Sequence, residues 1–178
     1  MVVCFWVMTI WTIGHSTRSL DEFISLLKEN GIRLLADVRS WPGSRRYPQF
    51  NRETLADSSG KAGICYVHFP ELGGKRKPRP DSRNTAWRNA SFRGYADHME
   101  TEEFRKGVET LLELAGNAGP VALMCAEAVW WRCHRALISD YLKARGVEVL
   151  HILGAHKIEP HPFTSAARIV HGALTYGA

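Results

Sequence analysis

The most reactive side chains of this 178-residue chain lie between positions 125 and 135, where Cys-Ala-Glu is followed after five residues by Cys-His-Arg. A strand that ends just before Cys125 and a helix that begins near Trp131 would leave this cysteine and Glu127 in the connecting loop, beside the free N–H groups of the helix. Such a position lowers the pKa of a thiol and attracts anions. We therefore predict a thiolate nucleophile at Cys125, a general acid or base at Glu127 and an anion-binding guanidinium at Arg135.

Cys133 and His134 are open to two interpretations. Thiolate and imidazole are preferred zinc ligands, but C-x7-C-H is not the spacing of a zinc finger, and the chain has no C-x2-C pair. On the predicted helix both side chains would face the sheet. Cys133 is then a packed small side chain, and His134 is either a core histidine or a hydrogen-bonding partner of Glu127 or of a ligand. No metal site is favoured. The side chains that would form one are Cys125, Cys133, His134, His156 and His161.

Polar side chains also follow two earlier predicted strands. His15 and Ser16 come directly after Gly14, in a tight turn where backbone approaches a ligand closely and an imidazole acts as an acid or a base. Asp37 and Arg39 follow the second strand and are either part of the site or a structural ion pair. The chain has neither of the common glycine-rich phosphate-binding fingerprints.

Positive charge is concentrated in the middle of the chain. Residues 33–93 hold 13 Lys and Arg against 5 Asp and Glu, an excess larger than the +5 of the whole chain. Aromatic residues interleaved with these charges suit a polyanion with stackable bases, so we expect a nucleic acid or nucleotide partner here; the alternative is a solvated basic loop. The expected substrate- and anion-binding residues are Ser16, Asp37, Arg39, Arg45, Arg46, Arg93, Tyr95 and Arg135.

Composition and the N-terminal segment narrow the class of protein. Four cysteines in a chain of this length form no secreted disulfide framework, which predicts reduced thiols and a cytoplasmic location. The apolar residues 1–14 lack the charge and cleavage pattern of a signal peptide and are too short to span a membrane, so we expect no membrane association. The sequence specifies neither a cofactor nor an oligomeric state.

The order of apolar patterns predicts the elements that position these residues. Strands are expected over 6–13, 32–38, 64–69, 120–124 and 147–153, with helices over 20–31, 51–59, 104–114 and 131–145. This order predicts one α/β domain over residues 1–178, a three-layer Rossmann-like fold with a mostly parallel sheet of about five strands and helices on both faces. Residues 1–8 are a candidate N-terminal extension, 73–89 a basic surface loop and 154–178 an irregular or helical tail. Because ligands bind at the carboxyl ends of such strands, the polar clusters would meet in one cleft.

A set of ordered motifs resembles the family called domain of unknown function 488. The motifs are T-I-G-H-S at 12–16, D-V-R at 37–39, P-x-S-R at 42–45, L-G-G at 72–74, F-R-G-Y-A at 92–96, L-M-C-A-E at 123–127 and C-H-R at 133–135. The resemblance implies a compact α/β protein with no established activity or cofactor. Trp130 departs from it, because the family often has a proline there that would pre-organise the start of a helix.

Three functional hypotheses follow. The leading one is an enzyme, or a protein derived from an enzyme, that engages phosphate-bearing substrates and uses Cys125, Glu127, His15 and His134 for chemistry. A second is a non-catalytic nucleic-acid-binding module in which the Cys-Glu-His cluster is structural. A third is an enzyme that depends on a metal held by cysteine and histidine.

Overall fold

The strands of the computed structural model, which describes residues 8–177, form one six-stranded sheet and a separate hairpin. The sheet contains β1 (Thr9–Gly14), β2 (Leu34–Asp37), β3 (Cys65–His68), β4 (Val121–Cys125), β5 (Glu148–Gly154) and β6 (Lys157–Pro160). The hairpin pairs β7 (Arg168–Val170) with β8 (Ala173–Thr175). The helices are α1 (Leu20–Glu29), α2 (Arg52–Lys61), α3 (Ala90–Met99), α4 (Glu102–Ala118) and α5 (Arg135–Ala144).

The sheet order β3-β2-β4-β1-β5-β6 explains how the helices come to lie on both faces. Strands β1 to β5 are parallel, and only β6 runs antiparallel to its neighbour β5. The connections from β1 to β2 and from β2 to β3 cross the sheet in one direction, and those from β3 to β4 and from β4 to β5 cross in the other. Because such crossovers are right-handed, the two directions place their helices on opposite faces. The predicted α/β class and the mostly parallel sheet are confirmed, with β6 as an additional edge strand.

Two apolar cores fill the spaces between the three layers. Phe23 and Leu27 of α1 and Leu55 of α2 pack on one face of the sheet. Phe104 of α4 and Leu137 of α5 pack on the other, in a larger core that also receives α3. The central strands β2 and β4 are covered on both sides by these cores, which is why they are buried at every position.

The start of α5 differs from the prediction in a way that affects the site. The helix begins at Arg135 rather than near Trp131, and a 3-10 turn at Trp130–Arg132 precedes it. Cys133 is extended, with φ −128° and ψ 150°, so the chain breaks helical geometry at this residue. The prediction that Cys133 and His134 occupy the sheet-facing side of a helix is therefore wrong.

Two further segments differ from the sequence prediction. Helix α3 was not anticipated because Gly94 and several polar residues weaken its apolar pattern. A Cβ at position 94 would lie 2.4 Å from the carbonyl oxygen of Arg76, so glycine is needed for loop and helix to pack. The tail expected to be irregular or helical instead contains β6, β7 and β8, because β6 pairs with the otherwise open edge of β5.

Residues 73–89 contain no helix or strand, and this loop is anchored to α3. The buried carboxylate of Asp97 accepts hydrogen bonds from the Arg79 N–H at 2.7 Å, Ser82 Oγ at 2.6 Å and Asn84 Nδ2 at 2.8 Å. The predicted extension and the start of the first strand at Trp6 lie almost wholly outside the described residues. Within residues 8–177 we find no helix long and apolar enough to cross a membrane.

Candidate active site

The site is built where the chain leaves two neighbouring strands in opposite directions. Strands β1 and β4 are paired so that Gly14 lies opposite Cys125, and the loop after β4 folds back over the loop after β1. The N–H groups of His15 and Ser16 donate to the carbonyl oxygens of Cys125 and Ala126, both at 2.9 Å. Such a reversal point at the carboxyl ends of parallel strands is where ligands bind in sheets of this kind.

Gly14 is required for the two loops to approach each other. A Cβ at this position would lie 1.8 Å from the backbone oxygen of Glu127, a separation that no side chain tolerates. The glycine of the T-I-G-H-S motif is thus explained by packing. The motif allows the loop after β4 to pack against the end of β1.

A cavity of about 410 Å³ opens above these strand ends. Its volume falls in the range of small-molecule sites. Two other cavities, of about 480 and 730 Å³, lie by the β7–β8 hairpin, and neither is lined by a cysteine or histidine. The side chains around the 410 Å³ cavity are those of Arg39, Ser40, Trp41, Lys75, Ser91, Phe92, Tyr95, Cys125, Ala126, Glu127, Arg132, Cys133 and His134.

Two cysteines and a histidine meet at the floor of this cavity, and we call them the Cys-Cys-His cluster: Cys125, Cys133 and His134. His134 Nδ1 lies 3.6 Å from Cys133 Sγ and 4.0 Å from Cys125 Sγ. Both cysteines are free and buried, with 8% and 3% of their surface exposed at positions 125 and 133. The three atoms all lie within 4.8 Å of one another.

The orientation of His134 is set from behind. Its Nε2 lies 2.8 Å from the carbonyl oxygen of Val38 and must donate to it, which leaves Nδ1 directed at the two sulfurs. Gly74 packs against the imidazole, since a Cβ there would lie 2.8 Å from His134 Nδ1. The last glycine of the L-G-G motif therefore makes room for this ring. Among residues 8–177, the His134 ring contacts the two sulfurs and the Val38 oxygen, and it makes no hydrogen bond to the Glu127 side chain, which is one of the partners that the sequence allows.

Arg135 lies beneath the cluster instead of in the cavity. Only 1% of its surface is exposed. Its Nε and backbone N–H donate to Cys133 Sγ at 3.4 and 3.5 Å, and its Nη2 donates to the backbone oxygen of Glu127. Arg135 therefore supports the sulfur of Cys133 and the loop after β4, and does not reach a ligand directly.

The surroundings shift the pKa values of the two thiols in opposite directions. The hydrogen bond to Cys133, together with burial, raises the pKa of the Cys125 thiol well above its ordinary value. Burial alone would also raise the pKa of Cys133, but the hydrogen bond from Cys125 and the charges of His134 and Arg135 outweigh it and lower that pKa. Loss of the proton is therefore easier at Cys133 than at Cys125, whereas the sequence pattern favours Cys125 as the nucleophile.

A chain of buried hydrogen bonds leads from Arg135 to Asp140. Arg135 Nη1 donates to Thr12 Oγ1 at 3.5 Å, and the hydroxyl of Thr12 pairs with His151 Nδ1 at 2.7 Å. His151 Nε2 pairs with His161 Nδ1, and His161 Nε2 with the Asp140 carboxylate, both at 2.9 Å. Since guanidinium only donates and carboxylate only accepts, the first link points away from Arg135 and the last link points toward Asp140. The hydrogen bonds therefore connect the buried Asp140 carboxylate to the buried Arg135 guanidinium.

Trp130 covers this chain. Its indole stacks on the His151 ring with centroids 4.5 Å apart and planes 8° apart. Its Nε1 donates to Glu159 of β6 at 3.1 Å. The 3-10 turn that begins at Trp130 is thus held by side-chain packing.

Asp37 and Arg39 form an ion pair in the cavity wall. Arg39 Nε and Nη2 donate to the two carboxylate oxygens of Asp37 at 2.9 and 2.6 Å, and Tyr66 donates to the same carboxylate at 2.6 Å. Burial opposes the charge of Arg39, but its hydrogen bond to Asp37 outweighs burial and raises the guanidinium pKa. Asp37 thus fixes the position of the Arg39 guanidinium, and Arg39 lines the cavity.

His15 lies behind Arg39, outside the cavity lining. Its ring stacks on Phe50 with a centroid separation of 4.3 Å, and Nδ1 donates to the Ser16 carbonyl at 3.0 Å. Nε2 therefore accepts from Arg39 Nη1 at 3.4 Å. Burial lowers the pKa of His15 to about 4, so the ring is neutral at pH 7. Its position supports Arg39.

The remaining predicted residues are distributed unevenly. Glu127 and Tyr95 line the cavity, whereas Ser16, Arg45, Arg46 and Arg93 do not. Of the proposed metal-binding histidines, His156 pairs with Glu29 at 2.9 Å in an exposed turn, and His161 belongs to the buried chain. Both are therefore removed from the candidate ligand set.

Sequence reasoning did not single out Lys75 and Arg132, and it included Trp41 only among the aromatic residues interleaved in the basic segment. Trp41 is 70% exposed, and the Lys75 ammonium lies 5.0 Å from the centroid of its ring. Their signals were present but weak: Trp41 follows the second strand, Lys75 follows the L-G-G motif, and Arg132 precedes C-H-R.

Comparison with known proteins identifies a family without assigning an activity. A family model described as "Domain of unknown function DUF488" matches residues 19–142, well over half of the chain. No curated protein and no solved structure matches the chain. The matched range contains β2 to β4, α1 to α4 and the Cys-Cys-His cluster, and ends within α5. The chain belongs to the DUF488 family.

Proposed function

We propose that this protein is an enzyme whose catalytic centre is the Cys-Cys-His cluster, and that its substrate is a small molecule with an anionic group and a planar ring, of about the size of a mononucleotide. One observation carries the proposal. His134 Nδ1 and the sulfurs of Cys125 and Cys133 converge at the floor of the cavity, in an orientation set by the Val38 carbonyl.

A purely structural role explains this arrangement less well. A small apolar core needs neither a fully buried arginine nor a histidine whose ring is held by a backbone carbonyl, and burying charged groups is costly unless they are paired. Here Arg135 donates twice to Cys133 Sγ, and both cysteines border open volume. Groups of this kind beside a cleft are typical of functional sites.

The cavity walls favour an anionic, ring-bearing substrate. Trp41 and Phe92 offer apolar ring surface on which a planar group can stack. Lys75 and Arg132 are exposed cations at the same cavity, suited to a phosphate or a carboxylate. Glu127 lies at the edge as an acceptor or a proton-transfer group.

An extended nucleic acid is a weaker candidate than a nucleotide. Part of the positive excess over residues 33–93 is paired with acids of α3, α4 and the loop between them: Arg79 contacts Glu100 at 2.5 Å, and Arg76 contacts Glu103 at 3.5 Å. Arg39 is paired with Asp37. These pairs reduce the charge available to a polyanion.

Calorimetry with AMP, GMP, adenosine and inorganic phosphate tests the substrate class. We expect the mononucleotides to bind more tightly than adenosine or phosphate alone. Replacing Lys75 and Arg132 together by alanine should weaken AMP binding about tenfold, or about 1.4 kcal/mol. The matched control replaces Lys61 and Lys106, whose side chains are 75% and 71% exposed, and should leave binding unchanged. Equal loss in both double variants, or no binding of any nucleotide, would contradict the proposed substrate class.

Turnover tests the catalytic part. Phosphate esters and nucleotides are incubated with the protein and followed by proton and phosphorus NMR. Any turnover should be lost in Cys133→Ser and retained in Cys65→Ser, because Cys65 is an exposed cysteine on β3, away from the cavity lining. Turnover that survives in Cys133→Ser would exclude the cluster as the catalytic centre.

A further inference from the structure

We infer that Cys125, Cys133 and His134 together bind one soft divalent metal ion, best fitted by Zn²⁺, with a fourth coordination position open to the cavity. This inference deepens the proposed function, because it assigns the chemistry of the same centre. It rests on the spacing of the three donor atoms, on the groups that hold them and on the open volume beside them.

The spacing matches tetrahedral zinc. With Zn–S of about 2.3 Å and Zn–N of about 2.0–2.1 Å, a tetrahedral site separates sulfur from nitrogen by about 3.6 Å. His134 Nδ1 lies 3.6 Å from Cys133 Sγ and 4.0 Å from Cys125 Sγ. A shift of a few tenths of an ångström at Cys125 would bring the second sulfur to the same distance from Nδ1, and the two sulfurs lie within 4.8 Å of each other.

The surroundings of the donors are those of a metal site. A histidine that binds a metal through one ring nitrogen usually donates its other N–H to a carbonyl or carboxylate. His134 does so to the Val38 oxygen at 2.8 Å. Cys133 Sγ accepts from the backbone and side chain of Arg135, and such hydrogen bonds hold a ligating thiolate in place.

The donor set selects the class of metal and leaves one position free. Two sulfurs and one imidazole favour zinc and related late transition metals over Mg²⁺ or Ca²⁺, which prefer oxygen. Among residues 8–177 this group contains no fourth cysteine, histidine or carboxylate. Three protein ligands with an open position are typical of catalytic zinc, where the ion lowers the pKa of a bound water or polarises a substrate oxygen.

The buried charges are compatible with a dication. Zn²⁺ and two thiolates sum to zero, which would leave Arg135 as the net charge. The chain through Thr12, His151 and His161 connects that guanidinium to the Asp140 carboxylate. The centre with zinc bound is thus close to neutral overall, and the thiol protons displaced on binding leave to solvent.

Metal loading of the full chain tests the inference. The apo-protein is titrated with Co²⁺ as a spectroscopic probe and separately with Zn²⁺, followed by elemental analysis. We expect one ion per chain, and thiolate-to-cobalt charge-transfer absorption with visible bands of tetrahedral intensity. Cys125→Ser, Cys133→Ser and His134→Gln should each weaken Zn²⁺ binding at least 100-fold, and Arg135→Gln, which removes a donor to Cys133 Sγ but no ligand, 10- to 100-fold. Cys65→Ser should bind as the wild type does.

Each outcome is decisive and distinguishable from failure of the proposed function. A folded wild-type protein that binds neither ion, while its thiols react with a disulfide reagent, overturns the metal site; nucleotide binding by the same metal-free protein would leave the proposed substrate class standing. Binding that survives in all three ligand variants also overturns it. If a variant fails to fold by circular dichroism, the wild type decides, through the stoichiometry and sulfur absorption of its cobalt complex.

Discussion

At the residue scale, the site depends on where two glycines stand as much as on its reactive side chains. Gly14 allows the loop after β4 to lie on the end of β1, and Gly74 allows the loop after β3 to lie against His134. Neither glycine has a positive φ, so their role is steric. The reactive geometry is therefore set by backbone approach.

Gly74→Ala tests this steric role. The added methyl would lie 2.8 Å from His134 Nδ1, so the ring or the loop must move. We predict a loss of Co²⁺ affinity of about tenfold with little change in secondary structure, measured by competitive titration. Gly116→Ala is the matched control, because nothing lies within 4 Å of its added methyl and the residue sits inside α4. That control should keep full affinity and gain about 0.5–1 kcal/mol of stability. Unchanged affinity in Gly74→Ala would contradict the steric argument.

The sequence allowed a good part of the site to be predicted at this scale, for a physical reason. Parallel strands end at one edge, so polar residues at the carboxyl ends of the strands, such as Asp37 and Cys125, are expected to meet, and they do lie at one edge. The roles of Arg135 and Cys133 were not predictable, because they depend on the residue at which α5 starts. A shift of four residues in that start turns Arg135 inward and Cys133 toward the cavity.

At the element scale, the buried histidine chain links elements that are distant in sequence. Thr12 lies on β1, His151 on β5 and Asp140 on α5, while His161 follows β6. Tyr176, beyond β8, donates to the same Asp140 carboxylate at 2.9 Å. Asp140 thus attaches the C-terminal segment to the core that α3, α4 and α5 form on one face of the sheet. This segment is expected from the sequence to be irregular or helical. Its strands were not predictable, because their pairing partners and this carboxylate lie far away along the chain.

Because His151 is buried in this hydrogen-bond chain, we predict that the stability of the protein depends on pH. Burial and the neighbouring charges lower the pKa of His151 to about 3, against about 6.5 in an unfolded chain. Between these values the unfolded state binds the proton and the folded state does not. The contribution of neutral His151 to the free energy of unfolding is therefore complete above pH 6.5. It is lost as pH falls toward 3, by about 1.4 kcal/mol per pH unit.

Urea unfolding at several pH values measures this dependence. We predict that His151→Phe, which keeps a ring against Trp130, is less stable than the wild type at pH 7 and loses stability less steeply between pH 6.5 and 4. The residual slope of the variant reports the other titrating groups. Parallel slopes in the two proteins would show that His151 does not remain neutral in the folded state.

At the scale of the whole molecule, the residues that stabilise the sheet edge are, apart from Arg39, different from those that line the cavity. Helices α1 and α2 and the Asp37–Arg39 pair stabilise one side of the sheet edge, and α5 with the histidine chain stabilises the other. The cavity lies between them, bordered by loops after β2, β3 and β4. In the sequence, the basic excess over residues 33–93 reads as one patch. In the structure, part of this charge is neutralised by ion pairs with acidic residues of α3 and α4. Only a three-dimensional arrangement reveals that division, because the paired acids lie outside the basic segment.

A substrate bound in this cavity contacts the Cys-Cys-His cluster and should therefore shield its two thiols. The test is the rate at which a small alkylating reagent labels each cysteine of metal-free protein, read by mass spectrometry with and without saturating AMP. We predict that AMP slows labelling of Cys125 and Cys133 at least several-fold and leaves Cys65, exposed on β3, unchanged. Unchanged labelling of Cys125 and Cys133 at saturating AMP would mean that the ligand is bound elsewhere and does not contact the cluster.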